Sequence, residues 1–182
     1  YVEQPKKPNR PEVVFVIGGH YAVSAKASME RYDMSSGQWS VAAAMSTARC
    51  LFGASTFMGE LYVTGGYCTE SGGSLSYAEK YTPSSDTWSA VAPLPSARCN
   101  HAAVAVGSAI YARGGSCLGV SLASVYKLDS TQGAWSVVDP MPEARRNHAA
   151  CAIGSDIYVF GGRCDRERQI SVFKYDTETN TC

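Results

Sequence analysis

Residues 98–115 read RCNHAAVAVGSAIYARGG, and a β-hairpin is legible in them. Residues 101–106 (HAAVAV) form a short apolar run, Gly107-Ser108 is a two-residue turn signal, and residues 109–113 (AIYAR) form a second run that ends at Gly114-Gly115. Working outward, residues 124–128 (SVYKL) predict a third strand, residues 129–133 a turn, and residues 134–138 (AWSVV) a fourth strand that Pro140 and Pro142 stop. Each run is about five residues long, and none carries a sustained apolar stripe of period 3.6. The unit is therefore four antiparallel strands with no helix.

The same pieces recur along the chain. Paired glycines stand at Gly18-Gly19, Gly65-Gly66, Gly114-Gly115 and Gly161-Gly162, in steps of 47, 49 and 47. Trp39, Trp88 and Trp135 are 49 and 47 apart, and Arg49, Arg98 and Arg145 keep those steps. Tyr32, Tyr81 and Leu128 do the same, with Tyr175 a further 47 residues along. Within the unit three intervals are constant: 7 residues from the Tyr/Leu position to Trp, 10 from Trp to Arg, and 16 from Arg to the first Gly. Only the interval from the glycine pair to the next Tyr/Leu varies, at 14, 16, 14 and 14. All length variation falls in one connection, as expected of a loop free to change while the others are structural.

One such unit cannot bury both faces of its sheet, so neighbours must stack on it, and a repeat of about 50 residues with four strands is the signature of a β-propeller. The Gly-Gly, Tyr-x6-Trp and Arg pattern resembles the kelch repeat over residues 12–182, nearly the whole chain. The expected organisation is a linker at residues 1–11, then blade units at about 12–46, 47–95, 96–142 and 143–182. The landmarks read as structural. The glycines permit positive φ and close approach of a neighbour. Each Trp buries surface between blades and needs a partner for its indole N–H. Each Arg is expected to satisfy carbonyls between blades, its stem lying on aromatics. The first unit opens at its second strand (residues 12–17), and Cys182 falls where a fourth Trp is due. The resemblance thus implies an incomplete propeller, about four blades of a ring of about six, with the first blade's missing strand commonly supplied in this family from the C-terminus.

Composition narrows the function. Lys+Arg 16 against Asp+Glu 16 in 182 residues leaves no net charge and no dense basic run, which argues against nucleic acid as partner. Every apolar stretch is interrupted well short of the roughly 18 residues that span a bilayer, so no membrane partner is expected. Residues 1–11 (YVEQPKKPNRP) carry no apolar core and show no secretory signal. The seven cysteines include no C-x-x-C pair. Cys68, Cys117 and Cys164 each follow a glycine pair by two residues and are equivalent positions of successive blades. Packed sheets sit about 10 Å apart, whereas a disulfide needs Cα atoms within about 7 Å and zinc needs sulfur at about 2.3 Å, so these thiols are expected to stay unpaired. A reducing, cytoplasmic setting follows from that reading.

Alternating strand direction puts the loops after the glycine pairs on the same rim as the Pro-rich loops before each Arg, and that rim is the candidate binding face. Its loops differ in chemistry: residues 20–28 are small and weakly basic, 67–76 Gly/Ser-rich with Glu70, 116–123 apolar, and 163–169 densely charged. In ubiquitin-adaptor kelch proteins this face grips a short peptide of a partner, and the resemblance implies Tyr21, Tyr67, Asn100, Arg146, Asn147 and Arg163 as contact residues here. The chain looks like the kelch part of a BTB-BACK-kelch adaptor, which would present a bound peptide segment of a protein substrate to cullin-3 through upstream segments. An actin-associated or other kelch scaffold is the alternative within the class. A kelch-fold copper oxidase or sugar isomerase is the enzymatic one. For catalysis the sequence supplies only His20, His101 and His148, the last two being repeat equivalents, with no His-x-His, paired acids or P-loop motif, so neither enzymatic activity nor a cofactor is expected.

Overall fold

The short apolar runs pair as antiparallel hairpins because alternate side chains can be buried against two neighbours. The structure, a computed structural model, describes residues 13–181; the expected linker at residues 1–11, together with Glu12 and Cys182, lies outside the described residues. The second blade runs Gly53–Phe57, Glu60–Thr64, Ala78–Thr82 and Thr87–Val91 in spatial as well as chain order, and the third runs Ala102–Val106, Ala109–Arg113, Val125–Asp129 and Trp135–Val138. Flanking them are three-stranded sheets, Val13–Ile17, Met29–Asp33 and Gln38–Ala42 on one side and Ala149–Ile153, Asp156–Phe160 and Val172–Asp176 on the other. No helix occurs among the described residues, so none is long and apolar enough to cross a membrane. The fold is an all-β propeller.

Burial differs from strand to strand. The first strands of the second, third and fourth blades lie beside one another, and there Gly53 is indispensable: a Cβ would stand 2.6 Å from His101 Nε2 of the next blade. The second strand of the third blade, Ala109–Arg113, is buried at all five residues, whereas the outer strand Gln38–Ala42 is exposed at four of five. Three apolar clusters join the blades. Tyr81 and Leu61 pack on Met29 and Ala42 of the first blade, Tyr126 and Ala112 on Leu94, and Tyr175, Ile157 and Val159 on Tyr111, Val104 and Val106.

The constant sequence intervals are geometric. Tyr32, Tyr81 and Leu128 sit directly opposite Trp39, Trp88 and Trp135 across the outer hairpin, which fixes the spacing of 7. Trp88 Nε1 donates to the Ala43 carbonyl of the preceding blade at 2.7 Å, and Trp135 Nε1 to that of Ala92 at 2.8 Å. The 16-residue interval is a hydrogen bond: Nη1 of Arg49, Arg98 and Arg145 donates to the carbonyl of Gly65, Gly114 and Gly161 at 3.0, 2.9 and 2.9 Å. All three arginines are fully buried. This corrects the expected arginine role, because the side chain closes carbonyls of its own blade. The guanidinium itself lies 4.1 Å over the Tyr126 ring for Arg98 and 4.1 Å over Phe173 for Arg145. The arginine main chain makes the link between blades, since the Arg98 carbonyl accepts from Gly66 N at 2.9 Å and the Arg145 carbonyl from Gly115 N at 2.7 Å. The backbone must pass close there, and a Cβ on Gly115 would meet the Cys99 carbonyl at 2.5 Å.

Candidate binding face

The variable connection after each glycine pair folds into a small two-stranded hairpin: His20–Tyr21 with Ser24–Ala25, Tyr67–Cys68 with Gly73–Ser74, Ser116–Cys117 with Val120–Ser121, and Arg163–Cys164 with Glu167–Arg168. Three of them are fastened to the residue just past the arginine, through bridges Cys50 to Tyr67, Cys99 to Ser116 and Arg146 to Arg163. The loops after the glycine pairs and the segments around the arginines therefore share one rim. Neighbouring hairpins also touch. Ala25 N donates to Thr69 Oγ1 at 3.0 Å, and Asp165 N to Ser121 Oγ at 3.0 Å.

Toward the axis, Leu51, Asn100 and Asn147 occupy equivalent positions, all left-handed, with φ of 56°, 57° and 54°. They form a hydrogen-bonded arc: Asn100 N donates to the Leu51 carbonyl at 2.7 Å, Asn147 N to the Asn100 carbonyl at 3.0 Å, and Asn147 Nδ2 to Asn100 Oδ1 at 3.1 Å. Asparagine tolerates this conformation better than other side chains, while Leu51 adopts it with its side chain exposed.

The six expected contact residues divide into three settings. Tyr21, 74% exposed, stands at the first hairpin with Lys26 Nζ 5.8 Å from its ring centre, and Arg163 is exposed on the fourth hairpin. Asn147 is exposed and Asn100 half-buried in the inner arc. Tyr67 is half-buried where the second hairpin meets Cys50, and Arg146 is half-buried with Nη1 on the Gly119 carbonyl and Nη2 on that of Asp165, both at 2.9 Å. Arg146 thereby locks the third hairpin to the fourth. Sequence reasoning missed the apolar tips Val23 and Leu118, 88% and 94% exposed. Only Leu118-Gly119 carries a turn signature that could have located such a tip.

His101 is buried between the second and third blades with Nε2 2.9 Å from Thr64 Oγ1. Burial, with the Arg98 and His148 charges nearby, pushes its imidazole down to about 3; burial beside Arg113 and Arg145 pushes His148 down to about 4. Both are held neutral as packing groups. Among the described residues no group of three or more His, Cys, Asp or Glu is placed to hold a metal. The six described cysteines are free thiols, of which Cys50, Cys68 and Cys99 are buried. The Ser71 amide and hydroxyl hold the Cys68 thiol below its ordinary value, whereas burial, followed by the proximity of Cys99 and Cys68, raises that of Cys50.

Two four-stranded and two three-stranded blades carrying a rim of varied hairpins define a β-propeller. The chain belongs to the kelch-repeat family: residues 52–182 match the KLHDC2/KLHL20/DRC7 Kelch-repeats domain, and residues 11–46 match the Kelch motif. Comparison with curated proteins finds no match. Kelch-repeat propellers are protein-interaction modules and are typically not enzymes.

Proposed function

We propose that the hairpin rim binds an extended peptide segment of a protein partner. The carrying observation is the exposure of Tyr21, Val23, Leu118 and Arg163 on hairpins that are hydrogen-bonded in pairs, the first to the second and the third to the fourth. A partner would then meet apolar anchors and charges on a pre-ordered surface, which limits the entropy cost of binding. Asn100 and Asn147 offer amide groups toward the axis. Arg146 and Tyr67 act by holding hairpins in place. We propose further that the module is cytoplasmic and serves a cullin-3 ubiquitin-ligase adaptor, a reading that rests on resemblance to kelch-like adaptors. Co-purification from cells of the full-length protein with cullin-3 tests this second step: recovery of cullin-3 is expected, and its absence would leave a peptide-binding scaffold instead.

A further inference from the structure

Glu79, Tyr126 and Phe173 are repeat equivalents, 47 residues apart, on the third strands of the second, third and fourth blades. In the third and fourth blades an aromatic ring fills the space beside the buried arginine, at 4.1 Å from each guanidinium carbon. The Tyr126 hydroxyl is further paired with Ser96 Oγ at 2.8 Å. The second blade has no ring there. Glu79 turns its carboxylate inward, accepting from Arg49 Nη2 at 2.6 Å through Oε1 and from Ser46 N at 2.9 Å through Oε2. What remains is a cavity of about 380 Å³, lined by Ser46, Thr47, Tyr77, Glu79, Val91 and Pro93 among others. Thr47 is the counterpart of Ser96.

We propose that this cavity is a binding site for a phenol or indole group, which supplies from outside the ring that the third and fourth blades supply from within. Val91 and Pro93 provide an apolar wall and Tyr77 an aromatic one, suited to a flat ring; the volume lies at the small end of ligand pockets, enough for one or two fused rings. Glu79 is already matched by Arg49, so the site has no unpaired charge to attract a salt and selects instead for a hydrogen-bond donor facing Thr47 Oγ1 and the Glu79 carboxylate. The site stands at the first-to-second blade junction and is independent of the peptide reading.

Titration of the full chain with p-cresol, 3-methylindole and toluene, followed by amide NMR shifts, tests the proposal. Saturable shifts at Ser46, Thr47 and Glu79 are expected with the two donors, with toluene roughly tenfold weaker for want of one hydrogen bond. Glu79→Tyr should abolish the shifts by filling the cavity from within, and Thr47→Val should weaken p-cresol binding while leaving the fold intact. The capped tripeptide acetyl-Gly-Tyr-Gly-amide distinguishes sources: binding as tight as p-cresol marks a partner's side chain as ligand, and binding of p-cresol alone marks a free small aromatic. Absence of saturable shifts at millimolar ligand, or equal binding by a folded Glu79→Tyr variant, would overturn the proposal.

Discussion

Arg98 shows how much one residue type carries in this repeat. Its guanidinium is fully buried, and its hydrogen bonds run to the carbonyls of Gly114 and Ser124 and to the Ser124 hydroxyl, at 2.9, 3.1 and 2.8 Å, while Tyr126 covers its face. An ammonium cannot make that planar fork, so Arg98→Lys should cost about 2–4 kcal/mol in urea denaturation by stranding buried acceptors. Arg146→Lys, at a half-exposed site, should cost less than about 1 kcal/mol. The buried histidines set a pH dependence. Their folded values of about 3 for His101 and about 4 for His148 lie below the ordinary 6.5, so the unfolded chain binds protons first as pH falls. The stability they protect is complete above pH 6.5. It should decline by about 1.4 kcal/mol per pH unit per histidine once the pH is well below 6.5, with the loss from His148 ending near pH 4. Urea midpoints at pH 7.5 and 5 measure this, and the double variant His101→Gln/His148→Gln should flatten the difference.

At the scale of the element, the strands join through a few obligatory contacts. Gly115 has φ +93°, and a Cβ there would lie 2.5 Å from the Cys99 carbonyl, a backbone atom that cannot step aside. Gly115→Ala should therefore prevent folding or cost more than about 3 kcal/mol, whereas Gly133→Ala, at φ +65° with open space around it, should cost only about 1–2 kcal/mol. Trp88→Phe removes the 2.7 Å bond to Ala43 and should cost about 1–3 kcal/mol; Trp39→Phe, at a ring 55% exposed, should cost less than about 1. The strands of the third blade were readable to within a residue because Gly107-Ser108, Gly133 and the prolines punctuate apolar runs. The small hairpins were not. Each has only two-residue strands, and at Ala22 and Asp165 the left-handed turn is made without glycine, so composition carried no signal. The arginine's role was half legible. The constant spacing of 16 was the sign of a contact within the blade, but sequence alone does not separate the side chain's partners from those of its carbonyl.

For the whole molecule, propeller stacking turns one variable connection per blade into a shared rim, and this part of the site follows from strand alternation alone. Which rim residues stand free does not. Arg146 is engaged by two carbonyls, whereas the tips Val23 and Leu118 are open, because hairpin-to-hairpin contacts decide exposure and those depend on loop conformation. The peptide-binding account makes a directional claim, since Met58, 81% exposed, sits on the opposite rim at the turn between Gly53–Phe57 and Glu60–Thr64. The most direct test takes peptides selected from a random library against this chain and measures their affinity for Tyr21→Ala, Leu118→Asp, Arg163→Glu and Met58→Asp variants that remain folded. The account predicts losses of about tenfold or more for the three hairpin variants, and an unchanged Kd for Met58→Asp. Affinity that survives all three hairpin substitutions, or that falls with Met58→Asp alone, would contradict it.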